Sequence, residues 1–437
     1  MRDQGFWRGY WPLLLAIGAS QLSQQADMAM VGRLGGAASG AYAMLTRLAV
    51  VDLVLMSAMG AVASTAVAKA QRDGGAAQMV GRTLGLALVA GLCCCALGLT
   101  AYPALAEALA GDGEVARLIG EAVFWYSLAA PFRFLTNTSA FALHALGFGA
   151  AVVRWKLTEF VAKAAANYLL MEHLGFGFAG CFVAGAIILV ASTLWCRGTL
   201  AAHAIGWIAV PQRSWASMFL RSTAWEAQRI LSLQLAVLFS LALFAAPWLG
   251  NYEVSRLASY AAGQTFLLVL FSPFMALMRF LAFRLANLRE DERAASMRRL
   301  WLTGAPITAG GAMLLFIGRD ALGELYGQHG PWWSALIQAA AISLPFRYVA
   351  NVLRAILHAR GNFGAVATAD GVALWLLATP LVAMGLSLDS PVVAYSSLIL
   401  PEAASTAWLW RRLDRSPRFG FVVERGENFA LSKGNGP

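Results

Sequence analysis

Charged side chains are scarce here: 13% of 437 residues, against 59% hydrophobic. Soluble domains carry roughly 25% charged residues, so the deficit excludes a solvated globular domain and leaves an integral membrane protein. Cysteine is equally sparse. Cys93, Cys94, Cys95, Cys181 and Cys196 all lie in apolar runs, form no CxxC pair and have no histidine at ligand spacing. That pattern indicates neither a disulfide framework nor a metal site. The five histidines are scattered, and the chain contains neither a GxSxG elbow nor a Walker A loop. Hydrolase, ATPase and membrane-enzyme chemistry therefore lack their residues, and no cofactor is expected. The segment 175–180, GFGFAG, fits GxGxxG but joins two apolar runs with no strand before it, so the dinucleotide context is missing. The sequon 137–139, NTS, lies within an apolar run and is no acceptor for glycan.

What the sequence does have is length of apolar run. About twelve stretches of roughly twenty residues are long enough to span a bilayer. The first covers 10–31, read as a retained helix because no A-x-A site follows a short h-region. The others lie near 41–67, 83–105, 118–143, 155–172, 178–200, 222–246, 257–283, 300–317, 333–357, 365–386 and 391–411. Alternate connections differ in charge. One set holds Lys69, Arg72, Arg82, Arg154, Lys156, Arg197, Arg213, Arg221, Arg284 and Arg360, and both chain ends join it. The other offers Arg33, Arg117, Arg256 and Arg319 mixed with acids. The positive-inside rule then places both termini in the cytoplasm of an inner-membrane protein. The net charge of +10 records topology and gives no sign of nucleic-acid binding.

One segment occurs twice. PFRFLTNTSAFALHALG at 131–147 returns as PFRYVANVLRAILHARG at 345–361, 214 residues later. At 3.6 residues per turn, Arg133, Asn137, Ala140 and His144 share one helix face, as do Arg347, Asn351, Arg354 and His358. Polar stripes at membrane depth in a duplicated chain are a transporter feature; helix–helix glue is the competing reading. The expected organisation is a six-helix lobe at 1–205, a linker at 206–221, a second lobe at 222–412 and a disordered tail from 413 on.

Several stretches resemble the multidrug and toxic compound extrusion (MATE) family. ADMAMVGRLG at 26–35 resembles its first-helix signature, MGAVASTAVAKAQ at 59–71 the end of its second helix, and NYLL at 167–170 with Gly175 and Gly180 its fifth-to-sixth-helix passage. LHALG at 143–147 and LHARG at 357–361 resemble its loop starts, with His where the family usually has Arg. The resemblance implies two lobes forming a V around a substrate cavity, and export of a small organic solute against proton or sodium entry. The expected partners are that solute, the coupling ion and the bilayer, with the chain monomeric. The flipping of a lipid-linked or other anionic precursor is the alternative activity.

By motif position, Asp27 matches the family's acidic residue of the first lobe and Asn167 its polar neighbour. A lone carboxylate in an apolar helix suits coupling, since it exchanges a proton or sodium ion with a change in its surroundings. Many sodium-coupled relatives carry acids where this chain has Gln234 and Arg347, which argues against a second sodium site. Asp52 is a candidate ion-pair partner for Arg133, and Glu402 for the arginines Arg347 and Arg354. If Glu402 does not pair, two cations line the cavity. The expected substrate cavity therefore comprises Arg133, Asn137, Gln234, Arg347, Asn351, Arg354 and His358.

Overall fold

The structure, a computed structural model, describes residues 4–110, 113–251, 253–288 and 290–415. The tail expected from 413 on falls, past Arg415, outside them. Among the described residues every regular element is helical. The first half holds α1 (Gln4–Gly32), α2 (Gly36–Leu48), α3 (Val50–Arg72), α4 (Ala76–Ala110), α5 (Glu114–Leu128), α6 (Ala130–Ala145), α7 (Gly149–Tyr168) and α8 (Gly177–Ala202). The second half holds α9 (Arg213–Ala245), α10 (Val254–Asn287), α11 (Glu290–Ile317), α12 (Arg319–Tyr326), α13 (Pro331–Ala359), α14 (Phe363–Ala373), α15 (Thr379–Ser387), α16 (Pro391–Tyr395) and α17 (Leu400–Arg415). Eight helical stretches are long and apolar enough to cross a membrane.

The twelve expected spans survive, but several are broken part-way, and the breaks matter. The run expected at 41–67 is α2 and α3, divided at Ala49. The run at 118–143 is α5 and α6, divided at Ala129. Pro131 explains the second break: with no N–H and a ring that crowds the preceding turn, it fits only in the first turn of a new helix. Pro401 does the same for α17, which follows a 3-10 turn at Ser396–Leu398. The breaks place Asp52, Arg133 and Glu402 near the start of α3, α6 and α17. An acid is favoured there by the helix dipole and a cation is not. Arg133 offsets that by donating to the Tyr126 carbonyl at the end of α5 (3.3 Å).

Two further irregularities match across the halves. α7 runs into a π-turn at Leu169–His173, and α14 into one at Leu374–Ala378. Each follows closely on a buried polar residue, Asn167 and Asp370 respectively. Such π-bulges widen a helix locally and recur at functional sites.

Between lipid-embedded helices close van der Waals packing takes over much of the work of the hydrophobic effect, and small residues allow it. α3 shows this. Ala58, Gly60, Ala61, Ala63, Ser64, Ala66, Ala68 and Ala70 are all buried, and α4, α6, α9 and α10 pack around it. A Cβ on Gly60 would come within 2.5 Å of the Phe141 ring. Gly81 and Gly85 serve a different partner. The non-helical stretch 205–212 lies over them, with Ala209 N donating to Gly81 O at 2.9 Å, and a Cβ on Gly85 would collide with the Ala209 carbonyl.

The halves meet at one end and part at the other. A shared apolar core joins Tyr10, Met59, Val62, Leu84, Phe134 and Leu143 to Phe219, Ala276, Phe280 and Val352. Tyr10 donates its hydroxyl to the Pro273 carbonyl at 3.1 Å, and the Arg279 guanidinium reaches Ser57 at 2.6 Å. This closed end is where α1 begins and where α6, α10 and α13 finish. Toward the opposite end each half has its own core. One contains Val31, Leu45, Ile119 and Phe178, and the other Phe244, Tyr260, Trp332 and Tyr395.

Candidate functional site

A cavity of about 470 Å³ opens in the first half, walled by α1, α2, α3, α6, α7 and α8, with Tyr126 of α5 and one residue of α10 reaching it. Asp27, expected with Asn167 as its polar neighbour, has a second partner that is charged. Its carboxylate is ion-paired with Lys163 and accepts a hydrogen bond from Asn167 Nδ2 at 2.8 Å. Asp27 is 4% exposed and Asn167 fully buried, and the ammonium of Lys163 means that the carboxylate is not the lone charge at this place. The Asn167 Oδ1 remains buried without a donor.

Asp52 pairs with Arg133 at 2.8 Å and accepts the Tyr102 hydroxyl at 3.1 Å. The Arg133 guanidinium also lies 3.9 Å from the centre of the Tyr126 ring. Asn137 donates to the Met56 carbonyl at 2.9 Å, tying α6 to α3 beneath the cavity. A third pair joins Lys156 to Glu159 at 2.9 Å, with Ser192 donating to Glu159 at 3.0 Å and Trp155 to Ser192 at 3.1 Å. Lys156, assigned from the sequence to a basic loop, is a cavity residue within α7. Lys156, Glu159, Lys163 and Asn167 recur at helical spacing along α7, so one face of that helix carries the whole row. That signal was present in the sequence and was overlooked.

The charged groups of the second half are arranged differently. That half contains a buried chain of charges. Glu226 binds Arg229 at 2.6 Å; Arg229 reaches Asp370 at 3.6 Å; Asp370 binds Arg354 at 2.7 Å. Arg354 binds Glu402 at 3.0 Å, and Glu402 binds Arg347 at 3.1 Å. Ser405 donates to Asp370 at 3.0 Å, and Arg347 lies 3.8 Å from the Phe271 ring centre. Three carboxylates thus neutralise three arginines. His358 sits fully buried with Nε2 3.5 Å from Glu226 and its ring stacked on Phe363.

The expected cavity residues divide between these two arrangements. Of these seven residues, Arg133 and Asn137 line the 470 Å³ space, while Gln234, Arg347, Asn351, Arg354 and His358 do not. Buried charges are stable only when paired and hydrogen-bonded, and Arg347 and Arg354 already have their carboxylates. Asn351 donates to its own helix, at the Arg347 carbonyl. Gln234 is half-buried on α9 and belongs to none of the ion pairs. Asp370 and Glu402 are acids the sequence offers to neutralise Arg347 and Arg354, whereas nothing in it singles out Glu226 and Arg229 as members of this chain. The spacing of Glu226 and Arg229, three apart on a helix, was legible; the partnership with Asp370 joins residues far apart in sequence and was not. Among the described residues no three His, Cys, Asp or Glu side chains converge as metal ligands.

No family model matches the chain, and no curated protein does. Solved structures do. A MATE in the bent conformation superposes with a TM-score of 0.83 at 14% identity, covering 95% of this chain and 98% of that one. A multidrug resistance MATE family transporter of the MOP superfamily, in an outward-facing conformation, gives 0.78 at 13% identity over 94% and 95%. A MOP superfamily transporter from Pyrococcus furiosus, described as having a binding pocket of reversed polarity, gives 0.80 at 14% over 94% and 95%. At this identity the likeness is one of fold. The chain has the all-α architecture of MATE transporters of the MOP superfamily over nearly its whole length.

Proposed function

We propose that the protein is a secondary transporter that exports a small organic solute in exchange for a proton or sodium ion. The units 1–205 and 222–412 act as lobes that rock about their shared core, with both termini cytoplasmic. One observation carries this: the wall of a solute-sized cavity contains a buried carboxylate, Asp27, held by an ammonium and an amide from a different helix. Asp27 belongs to α1, and Lys163 and Asn167 to α7. An ion arriving at Asp27 competes with Lys163 for the same oxygens, so its binding loosens the tie between the two helices. The Asn167 Oδ1, without a donor, supplies a second oxygen for a sodium ion or for a protonated Asp27. The closed end and the separated opposite end support an arrangement in which the cavity faces the side away from the termini.

The test is flux in proteoliposomes with a proton and a sodium gradient imposed separately. One of the two should drive accumulation of a fluorescent organic solute against its own gradient. If neither gradient drives it while the solute equilibrates freely, the protein is a passive channel or carrier and exchange is the wrong reading.

A further inference from the structure

Seven charged side chains line the cavity, and six of them neutralise one another in the pairs Asp27–Lys163, Asp52–Arg133 and Glu159–Lys156. The seventh is Arg279. It comes from α10 in the other half and crosses to the cavity of the first. Its Nη2 donates to Ser57 at 2.6 Å and its guanidinium lies 5.1 Å from the Phe141 ring centre. Among the described residues no carboxylate forms an ion pair with it: Glu226, already bound to Arg229, acts on its charge only from a distance, and its Nε is buried with no acceptor. A guanidinium presents five donors in a fixed fork suited to a carboxylate, sulfonate or phosphate. Leaving such a group desolvated and only partly bonded is unfavourable, and an anion arriving from the cavity would relieve it.

We propose that Arg279 is the seat for an anionic group of the transported solute. The exchange reading above, on which this next step rests, constrains the rest of the molecule. A proton on Asp27 leaves four cations facing two carboxylates. A wholly anionic solute would then be held more tightly by the very ion that has to displace it. Exchange requires that the solute also carry a cationic group, repelled when Asp27 is neutralised and Lys163 released. The solute class is therefore amphoteric: an organic cation that bears an acid group. The role expected of Arg347 and Arg354 passes to an arginine outside the repeated segment.

Equilibrium binding to the full chain in nanodiscs at neutral pH tests this with two dyes of nearly equal shape. Rhodamine B has a free carboxylate and is zwitterionic; its ethyl ester is a plain cation. The acid should bind roughly tenfold more tightly than the ester, as expected for one added charge-assisted bond. Arg279→Gln should abolish that preference by weakening the acid, with the ester bound no more weakly than by the wild type. Arg279→Lys should keep part of it, and Ser57→Ala should keep it in full because the guanidinium remains. The proposal is overturned if the wild-type protein binds the ester as well as the acid, or binds neither. It is equally overturned if Ser57→Ala removes the preference as completely as Arg279→Gln, since Arg279 would then only latch the halves together. Binding needs no gradient. An acid preference in a protein that shows no gradient-driven flux would leave the anion seat standing and remove exchange.

Discussion

Asp27 and Lys163 lie 136 residues apart and meet at the wall of the cavity. Removing the ammonium should free the carboxylate for the coupling ion. Lys163→Met is expected to lower the half-saturating concentration of that ion about tenfold, equivalent to roughly 1.4 kcal/mol. An unchanged value in flux titrations would show that Lys163 does not compete at Asp27. The arginines of the second half should separate by their number of partners. Arg354 holds two carboxylates, whereas Arg347 shares Glu402 with it. Breaking a buried pair by removing one partner costs about 3–5 kcal/mol. Arg354→Gln should therefore lower the melting temperature in detergent distinctly more than Arg347→Gln; equal losses would contradict the chain of pairs. Sequence spacing put Arg347 and Arg354 on one helix face but could not tell a cavity from a neighbouring helix on that face. The acids that face them lie on α14 and α17, beyond the reach of local periodicity.

At the scale of the element, two prolines mark breaks inside the runs 118–143 and 391–411, each of which hydropathy alone reads as one span. Pro131 and Pro401 mark the first turns of α6 and α17, and the charged residues that follow them land at mid-span helix starts. The break at Ala49 has no proline or glycine to mark it and was missed, so 41–67 was read as one helix. Hydropathy also misplaced Lys156, because a window average does not register that Glu159 and Ser192 compensate its charge within the membrane. Arg256 is a similar case. It reads as a loop cation, yet it is fully buried and donates to the carbonyls of Phe244, Ala246, Leu249 and Asn251, capping the end of α9. Packing of α3 gives an element-scale prediction. Gly60→Ala adds a methyl group against Phe141 where no room exists, and overpacking of this kind costs about 1–3 kcal/mol. A lowered melting temperature should accompany reduced transport, since α3 touches both halves. A fully stable, fully active Gly60→Ala protein would show that α3 has slack there.

The repeat was legible at the scale of the whole molecule because its two copies keep their order and polar positions across half the chain. What it concealed is that the copies have different surroundings. Arg133 lines the cavity beside one acid, whereas Arg347 and Arg354 belong to a network of charges with three. Topology follows from the charge asymmetry between the two ends. Reporters fused after Pro437 and inserted at Glu114 should report opposite sides of the membrane, with the C-terminal one cytoplasmic. Both on one side would contradict twelve spans.

The central claim is that the ion gradient acts through Asp27, and a single substitution measured in two modes tests it most directly. In proteoliposomes, Asp27→Asn should abolish solute accumulation driven by an imposed ion gradient while leaving solute–solute counterflow at a rate comparable to wild type. The amide retains the shape and the bond to Asn167 but cannot exchange a proton or hold a cation. Loss of both modes would reduce Asp27 to a structural residue. Gradient-driven accumulation by the variant at the wild-type level would contradict the account outright.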